Sequence, residues 1–518
     1  MAALTGAIGP ATQLADNLLS PLSDGARRER NVVLLLIIYV LLWTAYGMLA
    51  KGSQDVHIDM SEQFMLAREL ALGYPKHPPL TMLIVRLWFS VFPATDWAYY
   101  LLAAANAGLS LWISWRLYAR FLDGDKRVLG LALLTLLPFF NFHALKFNPN
   151  TVLLPLWAAT TLLFLRSFEM RRLSDAALAG CFAALAMYGK YWSVVLLLGL
   201  AVAAVADPRR ADYFRSRAPW VTIVCGGLVM APHLIWLIYN HFAPFSYALF
   251  VHGEASSASS LMGVIEYLSG SIAYALIPIL IVLVSARPGR KALWDMLWPL
   301  DVHRRLAAAA FWATLLIPAL VAPLGGVRLT SLWSMSAWTL LPVLLLSSPL
   351  LAIARRDAAR IVAAAAAFPW LMVAAAPAIG FAVLRSGDPM DGHASLLAKS
   401  VDRLWHEAIG TPLEVFGSTE TFTYGVPFYL SEHPAVVHLL ERPATAEEEA
   451  LITRQGAALL CPMSSVICLG AANARAAAVP GAKRKEVEVR RSYLGSEGRS
   501  ERYAIFAIPP SEPVPARQ

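Results

Sequence analysis

Acidic and basic side chains lie close together in the sequence just after the first long apolar segment. Asp59 and Glu62 are three residues apart, so a predicted helix running to Leu72 places both carboxylates on one face. Lys76 and His77 follow, immediately before a rigid Pro-Pro turn. A carboxylate at the outer water boundary of a membrane span, facing a basic turn, indicates chemistry on a charged lipid head group. The alternative interpretation is that Asp59 is an ordinary solvated acid of a loop.

The composition of the chain predicts that these residues belong to a polytopic membrane protein. Of its 518 residues, 58% are hydrophobic and 15% are charged, and the mean hydropathy is +0.55. These values are far too apolar for a soluble chain. Apolar segments close to the roughly 20 residues that cross a bilayer recur along the chain. We predict eleven spans, near 32–49, 97–118, 128–145, 151–167, 175–188, 190–205, 219–239, 265–285, 306–324, 332–353 and 360–384. The two spans that flank Gly189 could instead form one long broken helix.

Lysine and arginine predict the orientation of the spans, because short cytoplasmic loops hold the excess of positive charge. The basic clusters all fall on one side, at 27–30, 116–127, 166–172, 209–217, 287–305 and 355–360. We therefore predict a cytoplasmic N terminus, with Asp59 outside, and the alanine- and arginine-rich composition favours a bacterial inner membrane as the location. An odd number of spans leaves the C-terminal part outside too. The net charge of +8 largely reflects this signal, so nucleic acid is not an expected partner.

The character of the chain changes at Arg385. We predict a transmembrane bundle over residues 1–384, whose first outer loop (51–96) contains a second surface helix at 80–92, and a periplasmic α/β domain over 385–518. In that domain, strand patterns at 413–417, 457–461 and 485–491 alternate with helical patterns at 419–431 and 445–455. Cys461 and Cys468 share the domain, but their spacing alone leaves open whether they form a disulfide.

Further polar residues are predicted at the outer ends of the spans. Charged groups near membrane depth are costly unless they are paired, solvated or used in function, so each is a candidate. The set comprises Lys146, Asn148, Asn150, Lys190, Tyr191, His233, Asn240, His241 and Arg328. Lys146 and Lys190 could instead extend to the interface, and we interpret His233 as a packing histidine.

Several motifs resemble those of bacterial glycosyltransferase family 39, whose relatives are the protein O-mannosyltransferases and the aminoarabinose transferase of lipid A. The most specific is the first loop, from Asp59-Met60-Ser61-Glu62 through Leu72-Gly73-Tyr74 to His77-Pro78-Pro79-Leu80. Other matches follow in order at 148–151 (Asn-Pro-Asn-Thr), 188–191 (Tyr-Gly-Lys-Tyr), 207–210 (Asp-Pro-Arg-Arg), 231–236 (Ala-Pro-His-Leu-Ile-Trp) and 425–430 (Gly-Val-Pro-Phe-Tyr-Leu). The resemblance covers nearly the whole chain.

The resemblance implies a GT-C fold and a polyprenyl phosphate sugar as donor. By match to the motif, Asp59 would be the general base that deprotonates an acceptor hydroxyl, which then attacks the anomeric carbon with inversion. His77 with Lys76 would bind the donor phosphate, and Arg328 is a further candidate. The remaining residues assigned to the substrate site are Glu62, Asn148, Asn150, Lys190, Tyr191 and His241. Lipid A, lipopolysaccharide, another envelope glycan or a protein hydroxyl would each suit as acceptor.

Two positions depart from the family pattern. Met60 replaces a frequent glutamate, and Asn150 stands where many relatives have a second acid. Without that second carboxylate a metal site is less expected, so no metal ligand and no certain cofactor are assigned, and a divalent metal is kept as an alternative.

Two other function classes stay open. A transporter or flippase would move a polyprenyl-linked sugar unchanged, but its polar sites are expected near the midplane and its halves as inverted repeats. The polar residues here cluster at one surface instead. An inactive member that serves as a scaffold is the other alternative. The sequence contains no Walker motif, no dinucleotide fingerprint and no zinc-spaced cluster, which argues against ATP-driven transport and cofactor-dependent redox chemistry.

Overall fold

A computed structural model describes residues 10–23, 27–252, 257–438, 440 and 442–511. Clustering of the chain by proximity gives two compact units. The first unit comprises Met1–Trp43, Ala71–Thr81 and Ala103–Leu371, and the second comprises Thr44–Leu70, Met82–Leu102 and Met372–Gln518. Each unit is described by itself below.

Helices dominate the described chain up to residue 386. They are α1 (Pro10–Ser23), α2 (Arg28–Ala50), α3 (Ile58–Leu66), α4 (Leu80–Phe89), α5 (Asp96–Tyr118), α6 (Gly124–Thr135), α7 (Leu153–Met170), α8 (Leu173–Gly189), α9 (Val194–Ala206), α10 (Arg210–Phe214), α11 (Ala218–Tyr239), α12 (Ala243–His252), α13 (Ser257–Ala286), α14 (Arg290–Leu297), α15 (Val302–Gly325), α16 (Leu341–Leu346) and α17 (Arg355–Ser386). Single 3₁₀ turns occur at Pro138–Phe140, Tyr191–Ser193, Ser331–Ser334 and Trp338–Leu340.

Five helices of the described residues are long and apolar enough to cross a bilayer. They are α2, α11, α15, α17 and the part of α13 that begins at Ser260. A sixth candidate combines α6 with Pro138–Leu145, and the two pieces are bent by 78°. The bend has a chemical cause, because Pro138 has no amide hydrogen to continue the helix. The predicted total of eleven spans stays a prediction.

The tenth predicted span, 332–353, is not one continuous helix in the structure. Two 3₁₀ turns precede the short helix α16, and Pro342 stands in its first turn, where its missing amide hydrogen is tolerated. Serine side chains fix the end of α16. Ser347 accepts a hydrogen bond from Arg304 (2.9 Å), and Ser348 donates to Asp295 (2.6 Å). The segment 332–353 therefore contains short turns and a short helix, and not the regular helix that its apolar composition predicted.

Small residues allow close helix packing in the first unit. A Cβ built on Gly180 of α8 would lie 2.2 Å from the carbonyl oxygen of Thr222 in α11. Thr222 in turn donates a hydrogen bond to the carbonyl of Ala176 at 2.9 Å. Glycine and threonine at helix contacts of this kind are a common solution in membranes, where apolar surface alone does not drive helix association.

Several segments predicted to be cytoplasmic meet in the first unit. The guanidinium of Arg355, at the start of α17, binds Asp16 of α1 at 2.7 Å and Asp125 of α6 at 2.8 Å. The structure therefore brings together three segments that the sequence analysis predicted on one side of the membrane. Which side this is stays a prediction.

The second unit contains a five-stranded sheet with the order β2-β1-β3-β5-β4. Its elements are α18 (Ala394–Ala408), α19 (Glu420–Thr423), α20 (Gly425–Tyr429), α21 (Ala446–Gln455), α22 (Val466–Ala478), β1 (Val415–Gly417), β2 (Ala435–Val437), β3 (Ala457–Pro462), β4 (Lys483–Tyr493) and β5 (Ser496–Ile508). The pairs β1–β2 and β1–β3 are parallel, whereas β3–β5 and β4–β5 are antiparallel.

Alternate residues of the central strands supply two separate cores. Ala458, Leu460 and Ile505 pack with α18 on one face, whereas Leu459 and Phe506 face the other cluster, which includes residues of α21 and α22. This alternation follows the two-residue period of a strand that is buried on both faces. The disulfide that the sequence left open is formed, and it joins Cys461 of β3 to Cys468 of α22 with a Cα–Cα distance of 5.6 Å.

Candidate functional site

Asp59 lies in the first turn of α3, in the second unit. His57 caps the N terminus of this helix, because its Nδ1 accepts a hydrogen bond from the amide of Asp59 at 3.1 Å. The same nitrogen lies 3.6 Å from the Asp59 carboxylate, whose side chain is 34% exposed. A carboxylate with this much exposure is accessible to a substrate while its backbone is fixed by the cap.

Aromatic packing holds α3 in place within the second unit. The Tyr99 hydroxyl donates to the carbonyl of Met60 at 2.6 Å. The Phe64 ring makes edge-to-face contacts with Phe89 and Phe428, with centroids about 5 Å apart, a favoured geometry for aromatic pairs. Glu62 is buried, with 7% exposure. The two acids predicted to share a helix do so, but only Asp59 is substantially open.

The helix that carries Asp59 is shorter than predicted. We expected it to run to Leu72, but α3 ends at Leu66, and the next residues form tight turns. Arg86 stabilises the turn directly after α3, because its guanidinium donates to the carbonyls of Ala67 and Arg68 at 3.0 and 2.8 Å. Carbonyls at a helix end have no partner within the helix, and a side-chain donor satisfies them. The second surface helix, predicted at 80–92, ends at Phe89.

Asp55 is a third acid of this segment, and the sequence analysis missed it. Its carboxylate accepts hydrogen bonds from the amide of Ala394 (2.7 Å) and the hydroxyl of Ser395 (2.6 Å) at the start of α18, and it lies 3.4 Å from Arg491. Burial raises the pKa of Asp55. This residue therefore caps α18, a structural function for which the sequence offered no spacing signal.

Asp96 is another buried acid of the second unit. It accepts a hydrogen bond from the Tyr429 hydroxyl at 2.8 Å, and that hydroxyl accepts from the amide of Val56 at 3.0 Å. Burial raises the pKa of Asp96 to about 6. This chain of hydrogen bonds joins the segment before α3 to α20.

The basic turn lies in the first unit. The amide of Tyr74 donates to the carbonyl of His77 at 3.0 Å, which closes the turn. Lys76 lies over the ring of Tyr247, with its Nζ 5.9 Å from the centroid. Gly73 fits against the indole of Trp236, which lies 2.4 Å from where a Cβ would be. Only glycine allows this approach, so Gly73 fixes the turn that carries Lys76 and His77.

Lys190 and Asn150, both predicted site residues, contact one another. The ammonium of Lys190 donates to the Asn150 side-chain oxygen at 2.6 Å and lies 5.7 Å from the centroid of the Trp333 ring. Lys190 stands in extended backbone directly after α8. The Asn148 side chain accepts from the amides of Asn150 and Thr151, so it shapes the loop that presents Asn150.

Tyr191 is positioned by His233. The Tyr191 hydroxyl lies 2.8 Å from Nε2 of His233, and Nδ1 of the same ring lies 2.6 Å from the carbonyl of Leu72. A carbonyl only accepts, so Nδ1 carries the proton and Nε2 accepts from Tyr191. His233 is fully buried and stacks on Trp236. This agrees with its interpretation as a packing histidine that also orients Tyr191.

Two predicted site residues occupy exposed positions in the first unit. His241 lies in the turn after α11 with a φ of 49°, and Arg328 follows α15. Their proposed functions stay predictions, as do those of all the predicted site residues. Asp59 and Glu62 belong to the second unit, and the other eight belong to the first.

One group of three side chains in the described residues is close enough together to hold a metal ion. Ligand atoms of Asp402, His406 and Glu432, in the second unit, lie within 4.8 Å of one another. None of the three was a predicted site residue, and all three are partly exposed.

Part of the chain is similar to a known protein family. Residues 76–236 match the family model described as dolichyl-phosphate-mannose-protein mannosyltransferase. The matched region contains Lys76, His77, Asn150 and Lys190, and Asp59 precedes it. No curated protein matches the sequence.

Solved structures give a likeness over nearly the whole chain. The crystal structure of ArnT from Cupriavidus metallidurans bound to undecaprenyl phosphate has a TM-score of 0.60, 12% identity, and coverage of 92% of this chain and 98% of that chain. The same protein in the apo state gives 0.59, 12%, 92% and 98%. At this identity the likeness concerns the fold.

Proposed function

We propose that this chain is a membrane glycosyltransferase, because its fold is similar to that of ArnT over 92% of its length and residues 76–236 match a mannosyltransferase family model. It transfers a sugar from a polyprenyl phosphate donor to a hydroxyl acceptor, such as lipid A, another envelope glycan or a protein. The reaction takes place at the outer face of a bacterial inner membrane, with the N terminus in the cytoplasm and the C-terminal domain in the periplasm.

The proposed reaction needs a base and cations. Asp59 takes the proton of the acceptor hydroxyl, and the oxygen attacks the anomeric carbon from the side opposite the phosphate. The bond from that carbon to the phosphate oxygen breaks, so the configuration inverts and polyprenyl phosphate leaves with the electron pair. A positioned base contributes typically about 10²- to 10⁴-fold to such a rate.

Cations of the first unit are proposed to stabilise the departing phosphate. Lys76 and His77 lie on the turn that Gly73 packs against Trp236, and Lys190 is held by Asn150. Fixed cations stabilise charge that develops in a transition state without further reorganisation. Arg328 is a further candidate. Glu62, Asn148, Tyr191 and His241 are proposed to contribute to the substrate site.

One observation carries the proposal. The fold agrees, over 92% of this chain, with that of a protein crystallised with undecaprenyl phosphate. We extend that ligand to this chain as its donor class, because a lipid-linked donor suits a site with basic residues and no nucleotide-binding motif in the sequence.

The first experiment removes the proposed base. Purified full-length protein in detergent is given undecaprenyl phosphate hexoses and pentoses together with an envelope lipid extract, and products are followed by mass spectrometry. Asp59→Asn should lower the rate of sugar transfer at least about 100-fold. The temperature of thermal unfolding and the affinity for undecaprenyl phosphate should stay unchanged. Glu69→Gln changes an exposed acid three residues after α3 and serves as the control. Full activity of Asp59→Asn would show that Asp59 is not the base.

The second experiment tests donor binding separately. Lys190→Gln removes a cation, and a hydrogen bond to a charged group contributes about 1.5–3 kcal/mol. Native mass spectrometry with undecaprenyl phosphate should show affinity reduced about tenfold or more. Lys399→Gln, an exposed lysine of α18, is the matched control. Equal affinities of both variants would remove Lys190 from the donor site.

A further inference from the structure

A basic cavity of about 440 Å³ lies in the first unit, where α2 begins and where α5 and α7 end. Five of its eleven lining residues are arginines, and the one acidic residue in the lining is Glu29. The arginines are Arg28, Arg116, Arg120, Arg127 and Arg166.

Positive charge is in excess around this cavity. The Glu29 carboxylate is shared by three guanidinium groups, with Arg127 at 3.2 Å, Arg28 at 3.5 Å and Arg116 at 3.8 Å. One carboxylate cannot neutralise three guanidinium groups. The remaining two arginines have acids of their own, because Arg120 pairs with Glu169, and Arg166 pairs with Asp175 at 3.0 Å.

The cavity also has hydrogen-bond donors to spare. Within the described residues, the Nε atoms of Arg120 and Arg166 are buried without a hydrogen-bond acceptor, whereas Nε of Arg28 lies 3.5 Å from the Glu29 carboxylate. Buried polar atoms nearly always have partners, so these two donors leave hydrogen-bonding capacity beside the cavity. Guanidinium groups match the oxygens of a phosphate in geometry and charge.

Contacts with Trp115 hold Arg127 and Glu29 in position at this cavity. Arg127 has only 5% of its surface exposed, and its guanidinium lies 3.6 Å from the centroid of the Trp115 ring. It also donates to the carbonyl of Trp115 at 3.0 Å. The Trp115 indole donates to Glu29 at 2.9 Å. The charges are therefore held in place before any ligand arrives.

Apolar side chains beside the arginines distinguish a lipid from a free anion. Trp112 and Met170 line the cavity and are 41% and 38% exposed, and Ile113 and Leu162 line it as well. A free phosphate ion has no apolar group to pack against these side chains, whereas a lipid would place its acyl chains against them. Basic pockets between membrane helices are known sites for anionic lipid head groups.

This cavity is distinct from the proposed donor site. Arg166 and Met170 are in the last turns of α7. Asn150 precedes Leu153, the first residue of this helix, and Lys190 contacts Asn150 at that end. The helix has 18 residues and is about 27 Å long. The two basic regions of the first unit therefore lie at opposite ends of α7.

We infer that this cavity binds the phosphate head group of an anionic membrane lipid, with the acyl chains against Trp112 and Met170. The inference does not depend on the proposed transferase activity.

The test uses lipid binding to the purified full-length protein, measured by native mass spectrometry. The probes are phosphatidylglycerol and phosphatidylcholine with identical acyl chains. Arg28→Gln combined with Arg116→Gln removes two cationic side chains that are at least one-third exposed, so that folding is spared. Arg210→Gln with Arg215→Gln makes the same change of net charge at exposed arginines outside the cavity.

We expect the cavity double variant to lose phosphatidylglycerol affinity about tenfold or more, with the control double variant within twofold of the natural protein. Phosphatidylcholine should bind all three weakly, and millimolar inorganic phosphate should not displace the lipid. Equal loss in both double variants, or full displacement by inorganic phosphate, would overturn the inference. If the double variant does not fold, the single change Arg116→Gln carries the same comparison.

Discussion

The acids Asp55, Asp59 and Glu62 lie within a few residues of one another, yet their surroundings differ. Asp55 is buried and caps α18. Glu62 is buried on the inner face of α3, whereas Asp59 keeps about a third of its side chain exposed. Sequence could place Asp59 and Glu62 on one helix face, but it could not reveal that Asp55 is occupied, because its partners lie more than 330 residues away.

Asp96 predicts a pH dependence of stability. Burial raises its pKa to about 6 from 3.8, so between about pH 4 and pH 6 the folded protein holds a proton that the unfolded chain releases. Stability should therefore fall as pH rises through this window, by about 3 kcal/mol at most. Asp96→Asn cannot titrate and should flatten the slope, measured by thermal unfolding in detergent at pH 4–7.

Asp123→Asn, at an exposed acid, is the control for Asp96 and should keep the natural slope. The same slope in natural protein and Asp96→Asn would contradict the assignment. Comparing these two proteins isolates Asp96 from other titrating groups.

At the scale of elements, the strand patterns were predicted well where apolar residues alternate or run together. The predicted strands 457–461 and 485–491 correspond to β3 and β4, and helix 445–455 corresponds to α21. β5 was missed, because its first half, Ser496 to Arg502, is mostly charged and polar and reads as loop. Its pairing with β4 overrides that local composition.

The contacts of a helix with its neighbours determine how much a glycine-to-alanine substitution changes stability. Gly180→Ala places a methyl group 2.2 Å from the carbonyl oxygen of Thr222, so α8 and α11 must separate. We expect a loss of about 1–3 kcal/mol of stability. Gly227→Ala has no atom within 4 Å of the new methyl group and should be neutral or slightly stabilising, since alanine favours helices. Urea or thermal unfolding in detergent measures both, and equal stabilities would contradict the packing argument.

At the scale of the whole molecule, the mostly helical fold predicted from the sequence agrees with the likeness to ArnT over 92% of the chain, whereas the number of spans stays a prediction. The site was predictable only as a set of residue types. The contact of Lys190 with Asn150 and the hydrogen bonds of His233 to Tyr191 and Leu72 depend on helix packing across 40 to 161 positions of sequence. No local pattern reports such pairings.

The predicted orientation can be tested directly on intact cells. In a Cys181→Ala, Cys225→Ala background, Glu69→Cys should react with a membrane-impermeant maleimide, because the first loop is predicted outside. Arg210→Cys should react only after the membrane is opened, because its basic loop is predicted inside. If Arg210→Cys is labelled in intact cells and Glu69→Cys is not, the predicted topology is wrong, and Asp59 does not lie on the outer face.

The strand order has a consequence for biosynthesis. β5 lies between β3 and β4, although it is the last of the five strands in the described part of the chain. Until β5 has been made, β4 has no neighbour in the sheet, and the apolar strand β3 keeps one edge open. A nascent chain therefore cannot complete this sheet stepwise, and a message truncated before Ser496 would yield a product with an open edge, prone to aggregation and to quality-control proteases.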